Sequence, residues 1–326
     1  MKKLLVLVLV LGLMLSVVAC GNNDAEETPG EEETKLEGNV IIDGSGTVYP
    51  LMAAVAEKYM TEKESDVSVQ VSRAGSSAGF KKFIAEETDF SDASRKIKDS
   101  EVDGLAEKGY VVGTDVLEFK VALDGLTIVI NKDNDWATEM TREEIVNMYL
   151  SGTYKADDKV LWSDIRSEWP SEEIKFYGPN ENHGTNEFFV EKILDEQPMV
   201  ATATLEQEYS TLVDLVSKEK NAIAFFGFGY YVNNQDKLTA VKVDFGNGPV
   251  EPTLETIGET LPYAGFTRPV FTYLNVKFAL AKPQVLDYAK YCVSPEGFEA
   301  LAGETGFAPL PSADYAAYAQ QLDNLN

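Results

Sequence analysis

Three short segments place glycine and small hydroxyl side chains just ahead of an apolar-periodic stretch: Gly44-Ser45-Gly46-Thr47, Gly75-Ser76-Ser77-Ala78-Gly79 and His183-Gly184-Thr185. At a helix start the first N–H groups have no intrahelical partner and the dipole is positive. Glycine there lets a ligand approach the backbone, so each segment is a candidate anion cradle. Taken singly, each is equally an ordinary helix cap, since Ser and Thr satisfy first-turn donors. The second segment also fits G-x-S-x-G, the pattern of a nucleophile elbow. A serine hydrolase would then pair Ser77 with His183, the only histidine in the chain. Against that chemistry, the chain has no HGGG-type oxyanion segment and no histidine near its C-terminus.

The elements that hold these residues are legible from periodicity. Val48, Leu51, Met52, Val55 and Tyr59 recur at intervals of three and four, as do Phe80, Phe83 and Ile84. Phe189 pairs with Ile193, and Val190 with Leu194, at i,i+4, so a helix is expected after each cradle. Strand-like runs at 40–42, 67–71, 126–130, 174–177 and 222–226 alternate with these helical patterns. The alternation predicts α/β architecture with largely parallel sheets, in which ligands sit beyond the carboxyl ends of strands. Thr141-Arg142-Glu143-Glu144 reads as a capping box. Trp162 and Trp169 read as packing anchors, and the Phe225–Tyr231 aromatic run as a buried strand ended by glycine rather than a sugar platform.

The N-terminus has Lys2 and Lys3, then an apolar stretch over residues 4–18 ending in Val17-Val18-Ala19-Cys20. This is the pattern of a secretory signal over residues 1–19, too short for a comfortable membrane span. Its ending resembles a bacterial lipobox, which makes Cys20 the acylated mature N-terminus, anchored on the outer face of the cell membrane. Residues 20–37 are acidic and nearly free of apolar side chains, a tether that cannot bury enough surface to fold. Loss of the two lysines deepens the net charge from −26 to −28, which disfavours nucleic-acid partners. Cys292 is the one cysteine left beyond the tether, so no intramolecular disulfide is expected there. No cysteine–histidine cluster suggests a transition metal, and no cofactor is implied. The rest of the 326-residue chain is long enough for two sizeable cores.

The segments Gly44-Ser45-Gly46-Thr47-Val48-Tyr49-Pro50, Ala74-Gly75-Ser76-Ser77-Ala78-Gly79-Phe80, Ser91-Asp92-Ala93-Ser94-Arg95, Asp124-Gly125-Leu126-Thr127, Tyr177-Gly178-Pro179 with His183-Gly184-Thr185, and Thr267-Arg268-Pro269-Val270-Phe271 occur in one order. Together they resemble the phosphate-binding lipoproteins of high-affinity phosphate ABC importers. The resemblance implies a two-lobed type II periplasmic-binding-protein fold, with residues 38–124 and 266–326 in one lobe and 125–265 in the other. Two strands would cross between the lobes, near 124–126 and 265–269. It also implies a monomer that binds inorganic phosphate outside the cytoplasm, delivers it to permease subunits and is not an enzyme. The same fold with sulfate, molybdate or an organic phosphonate is the alternative within this class.

Carried over by position, the resemblance assigns Thr47, the Val48 N–H, Ser76 and Ser77 to one face of the anion, and Gly184 and Thr185 to the other. His183 stands where relatives commonly carry serine. Relatives with an arginine four residues earlier would need it at Pro179, so Arg95 or Arg268 must supply the charge, Arg95 being favoured because it follows a binding segment. Asp92 would accept the proton that phosphate retains near neutral pH and that sulfate lacks. From composition alone it is equally a turn aspartate bonding its own backbone. A histidine in the site would strengthen anion binding as pH falls through about 6.5.

Overall fold

The computed structural model describes residues 35–325. The expected signal segment 1–19, Cys20 and the tether up to residue 34 lie outside the described residues. From Gly38 the chain alternates strand and helix: β1 (Gly38–Gly44), α1 (Tyr49–Glu62), β2 (Val67–Val71), α2 (Ser76–Ile84), β3 (Phe90–Ala93), α3 (Asp99–Glu107), then the long β4 (Val116–Asn131).

Local chemistry accounts for where these helices begin. Pro50 occupies the first turn of α1, where its missing N–H costs nothing, and Leu51, Met52, Val55 and Tyr59 form the buried face. Gly75 caps α2 at φ +104°, a conformation that L side chains rarely adopt. A Cβ there would also strike the Asn182 carbonyl, so the backbones of the second and third cradles touch. The third cradle opens the helix Gly184–Phe188, which passes directly into a π-helical turn, Phe189–Ile193. Thr141 and Glu144 form the expected capping box.

Among the described residues the principal sheet has nine strands. Its path runs β2, β1, β3, Thr267–Asn275, β4, Ala222–Gly227, Lys175–Pro179 and Thr204–Glu206, with Leu238–Ala240 beside β4. The pairings β1–β2, β1–β3 and the two made by Lys175–Pro179 are parallel. Every pairing made by β4 and by Thr267–Asn275 is antiparallel, so the sheet is mixed rather than largely parallel. β4 is long enough to pair twice, with Thr267–Asn275 along 116–125 and with Ala222–Gly227 along 126–130, and both partners run against it.

Both faces of the sheet are covered. Val40, Ile42 and Phe90 pack against α1 and the helix Pro283–Val293, where Cys292 is buried, while Phe80, Phe83, Leu105 and Phe271 cluster separately. Beyond residue 125, Leu126, Ile128 and Ile130 join Tyr149, Trp162 and Phe225, whereas Val129, Ala224 and Phe226 face the helix Tyr209–Lys218. Burial on both faces is why these strands read as continuous apolar runs. Trp162 meets Trp136 and Trp169 edge-on. Each such buried large side chain contributes about 1.5–3 kcal/mol by removing apolar area from water. The Phe225–Tyr231 run ends its strand at Gly227 and enters a short helix, Phe228–Val232.

Candidate functional site

The three cradles converge. Thr47, at the carboxyl end of β1, places Oγ1 2.6 Å from Thr185 Oγ1, 138 residues away. Tyr209 closes the triangle, its hydroxyl 2.7 Å from Thr185 Oγ1 and 3.1 Å from Thr47 Oγ1. Beside them, Ser45 donates to Ser94 Oγ at 3.0 Å, and the Ser94 N–H donates to Ser76 Oγ at 3.2 Å. Ser45, Thr47, Ser76, Ser94 and Thr185 are all buried. Gly184 fits between them because it has no side chain: a Cβ would lie 2.9 Å from Ser76 Oγ and closer still to Ser94 Oγ.

The cation of this cluster is Arg268. Its Nη2 donates to Thr185 Oγ1 at 2.7 Å and to Thr47 Oγ1 at 3.4 Å, and its Nη1 donates to the Gly184 carbonyl at 2.8 Å. Nε and Nη2 also donate to Asp124 Oδ2, at 3.1 and 2.8 Å. Both residues are buried, so the guanidinium is held in place with its charge balanced, and a cavity of about 580 Å³ opens beside Arg268 and Ser94.

Arg95, the favoured charge partner, lines the same cavity, but its hydrogen bonds go elsewhere than to the hydroxyl cluster. Its guanidinium pairs with Glu101 and Glu187 and donates to Ser77 Oγ at 3.1 Å. The Ser77 hydroxyl donates in turn to Glu187 at 2.8 Å, away from the hydroxyl cluster. Val48 is fully buried at the N-cap of α1, its side chain in the core and its N–H at the helix start.

Asp92 is not brought to the cluster either. It pairs in register with Gly44 on one side and Thr272 on the other, on the β3 face that Phe90 turns toward Tyr288. Among the described residues, neither of its carboxylate oxygens has a hydrogen-bond partner. Burial lifts this carboxyl to about 8, against a lowering by the Thr272 hydroxyl and with a further push from Asp43. The strand ends at Ala93, and it is Ser94, the next residue, that enters the site. Asp124 is the carboxylate that the cluster does contain.

His183 is buried beside the site. Its Nε2 lies 2.8 Å from the Gln207 carbonyl and its ring packs edge-on against Tyr209. Burial pulls the imidazole below its usual value, against the opposing effect of the Gln207 bond. No hydrogen bond joins it to Ser77, so the nucleophile–base pair of the hydrolase alternative does not assemble. Ser45, Ser94, Asp124, Tyr209 and Tyr230 are the cluster members that sequence reasoning did not single out. Tyr209 stacks on Tyr230, whose hydroxyl donates to the Gly46 carbonyl at 2.9 Å. Among the described residues no group of three or more His, Cys, Asp or Glu is arranged to hold a metal ion, and no helix is long and apolar enough to cross a membrane.

A family model described as a PBP superfamily domain matches residues 29–296. The phosphate-binding protein PstS of Staphylococcus epidermidis is 38% identical over 317 residues, covering 97% of this chain and 90% of that protein. The chain belongs to the PstS phosphate-binding family of the PBP superfamily. The PstS protein of Staphylococcus aureus strain USA300 is 35% identical, over 97% of this chain and 89% of its own length. Among solved structures, one described as a possible phosphate binding protein from Planctomyces limnophilus is 34% identical, with a TM-score of 0.61 over 89% of this chain and 99% of that one. An ABC-type phosphate transport receptor from Vibrio cholerae shares the fold at 22% identity, with a TM-score of 0.62 over 83% of this chain and 100% of its own.

Proposed function

We propose that this protein binds inorganic phosphate between two lobes, outside the cytoplasm, and delivers it to the permease of an ABC importer. The observation that carries the reading is the buried assembly of Thr47, Ser76, Ser94, Thr185 and Tyr209 hydroxyls around the Arg268 guanidinium. Hydroxyls and helix-start N–H groups, those of Val48, Ser77 and Gly184 included, hydrogen-bond a tetrahedral anion from several directions. Arg268 supplies fixed positive charge at the anion in a chain of net charge −26. The lobes are residues 38–124 with 266–326, and residues 125–265. Thr47, Ser76 and Ser94 belong to the first, Thr185 and Tyr209 to the second, so holding the anion closes the cleft. Asp124, inside the cluster, takes the role expected of Asp92 as acceptor for the proton that phosphate retains and sulfate lacks. Cys20 carries the lipid that anchors a monomeric body to the outer face of the membrane, and the chain acts as a binding protein rather than an enzyme. Calorimetry with phosphate, arsenate and sulfate tests the reading. Binding of the first two with exclusion of sulfate supports it, and tight sulfate binding overturns the selectivity mechanism.

A further inference from the structure

A second set of polar contacts across the cleft lies outside the hydroxyl cluster. Glu187 sits two residues beyond Thr185 on the third-cradle helix and receives three donors from the other side. These are the Ser77 hydroxyl at 2.8 Å, Lys98 Nζ at 3.1 Å and the Arg95 guanidinium. Its side chain is 13% exposed and that of Arg95 is 9% exposed. Burial pushes the Glu187 carboxyl up, but Arg95, Ser77 and Lys98 outweigh it and hold it below the usual range. The other ion pairs across the cleft, Arg73–Glu208, Lys98–Glu191 and Lys120–Glu259, leave both partners about a third or more exposed, where such pairs contribute little.

Resting on the two-lobed phosphate reading above, we infer that Glu187 is a positioning residue that latches the closed cleft and sets the rate of phosphate release. The receiving side is organised without it. Arg95 donates to both carboxylate oxygens of Glu101 at 2.9 and 2.7 Å, and Glu101 also accepts from the Lys98 N–H. Opening therefore leaves the guanidinium paired on its own lobe and frees Glu187 and the Lys98 ammonium into water. Binding and latching are coupled by chain adjacency. Ser76 enters the cluster while Ser77 holds the latch, and Thr185 enters the cluster while Glu187 is held. An anion that draws the cradles together thus brings the latch into register.

Stopped-flow release and association of phosphate test this with Glu187→Ala, Glu187→Gln and Ser77→Ala. The expected result is release about tenfold faster for Glu187→Ala, in line with the loss of charge-assisted hydrogen bonds. Glu187→Gln should fall between it and the parent, with association and the melting temperature of the ligand-free protein little changed. Ser77→Ala should also speed release, and the Ser77→Ala/Glu187→Ala double variant should be less than multiplicative, because one hydrogen bond is shared. Release at the parent rate in both Glu187→Ala and Ser77→Ala overturns the latch while leaving the phosphate site standing. A parent protein that does not bind phosphate overturns the functional reading, and the latch with it. Should Glu187→Ala fail to fold, Ser77→Ala, which removes one hydroxyl, decides alone.

Discussion

Arg268 and Asp124 stand opposite each other on adjacent antiparallel strands, with two guanidinium nitrogens 2.8 and 3.1 Å from the same carboxylate oxygen. The pairing leaves Nη1 and the outer edge of Nη2 turned toward Gly184 and Thr185, residues reached only after a long excursion of the chain. The strand pairing fixes the pair's geometry, and the pair in turn fixes a cation at the cluster. A mobile surface arginine would have to be ordered each time an anion bound; this one is ordered beforehand.

Arg268→Lys should therefore lower phosphate affinity by about 100-fold. A lysine keeps the charge but presents all its donors from a single nitrogen, so it cannot span Asp124, Gly184 and Thr185 as the guanidinium does. Titration calorimetry reads the loss. An affinity within about threefold of the parent would show that charge alone suffices.

The two aspartates separate in a selectivity experiment. Asp124→Asn should weaken phosphate binding and narrow the preference over sulfate, because the acceptor inside the cluster becomes an amide that also donates. Asp92→Asn should leave the preference unchanged, since that side chain faces the Tyr288 side of the sheet. Competition calorimetry that found selectivity lost in Asp92→Asn alone would return the role to Asp92.

Asp92 instead predicts a pH dependence of stability. Its folded-state value, about 8, lies above the ordinary 3.8, so between these values the folded state holds a proton that the unfolded chain has released. Its contribution is complete below pH 3.8 and is lost as pH rises through about 8, on the order of a few kcal/mol. Thermal melts of Asp92→Asn should lose less stability over that rise than the parent does. Parallel pH profiles for the two proteins would remove the assignment.

How much of this was legible follows from where each signal lives. The cradles were readable because glycine, hydroxyl residues and a 3.6-residue period are all local. The antiparallel pairing of β4 with Thr267–Asn275 joins residues 144 apart, for which no local pattern exists. Ser94 and Asp92 differ only in which side of the end of β3 they fall, and strand ends are the least certain feature of a periodicity argument. Arg95 follows a binding segment closely in sequence, yet Glu101 and Glu187 claim it, whereas Arg268 reaches the site through a strand pairing. Tyr209 opens a helix whose apolar period, Leu212, Val213 and Val216, reads as core alone.

His183 should not act as a pH sensor of binding. Burial lowers its imidazole value, so it takes up a proton only at a lower pH than a free imidazole does. Phosphate affinity, corrected for ligand ionisation, should then be flat between mildly acidic and neutral pH. The depressed value has the opposite sign for folding from that of Asp92. Its contribution to stability is present above about 6.5 and lost on acidification through the lowered value. An affinity that climbs as pH falls toward 6 would establish a charged histidine in the site.

Gly184→Ala tests whether the cleft must close this tightly. The added methyl would sit 2.9 Å from Ser76 Oγ and nearer still to Ser94 Oγ, and both are buried hydroxyls with little room to turn away. The clash exists only when the third cradle meets the first two, so the open protein should accommodate alanine at a helix start without loss. Affinity for phosphate should fall by about 100-fold or more, the equivalent of about 3 kcal/mol of overpacking. The melting temperature of the ligand-free protein should stay within a few degrees of the parent, while phosphate should raise it far less than it raises the parent's. Equal stabilisation of both proteins by phosphate would mean that the anion is held with the cradles farther apart than they stand in this structure.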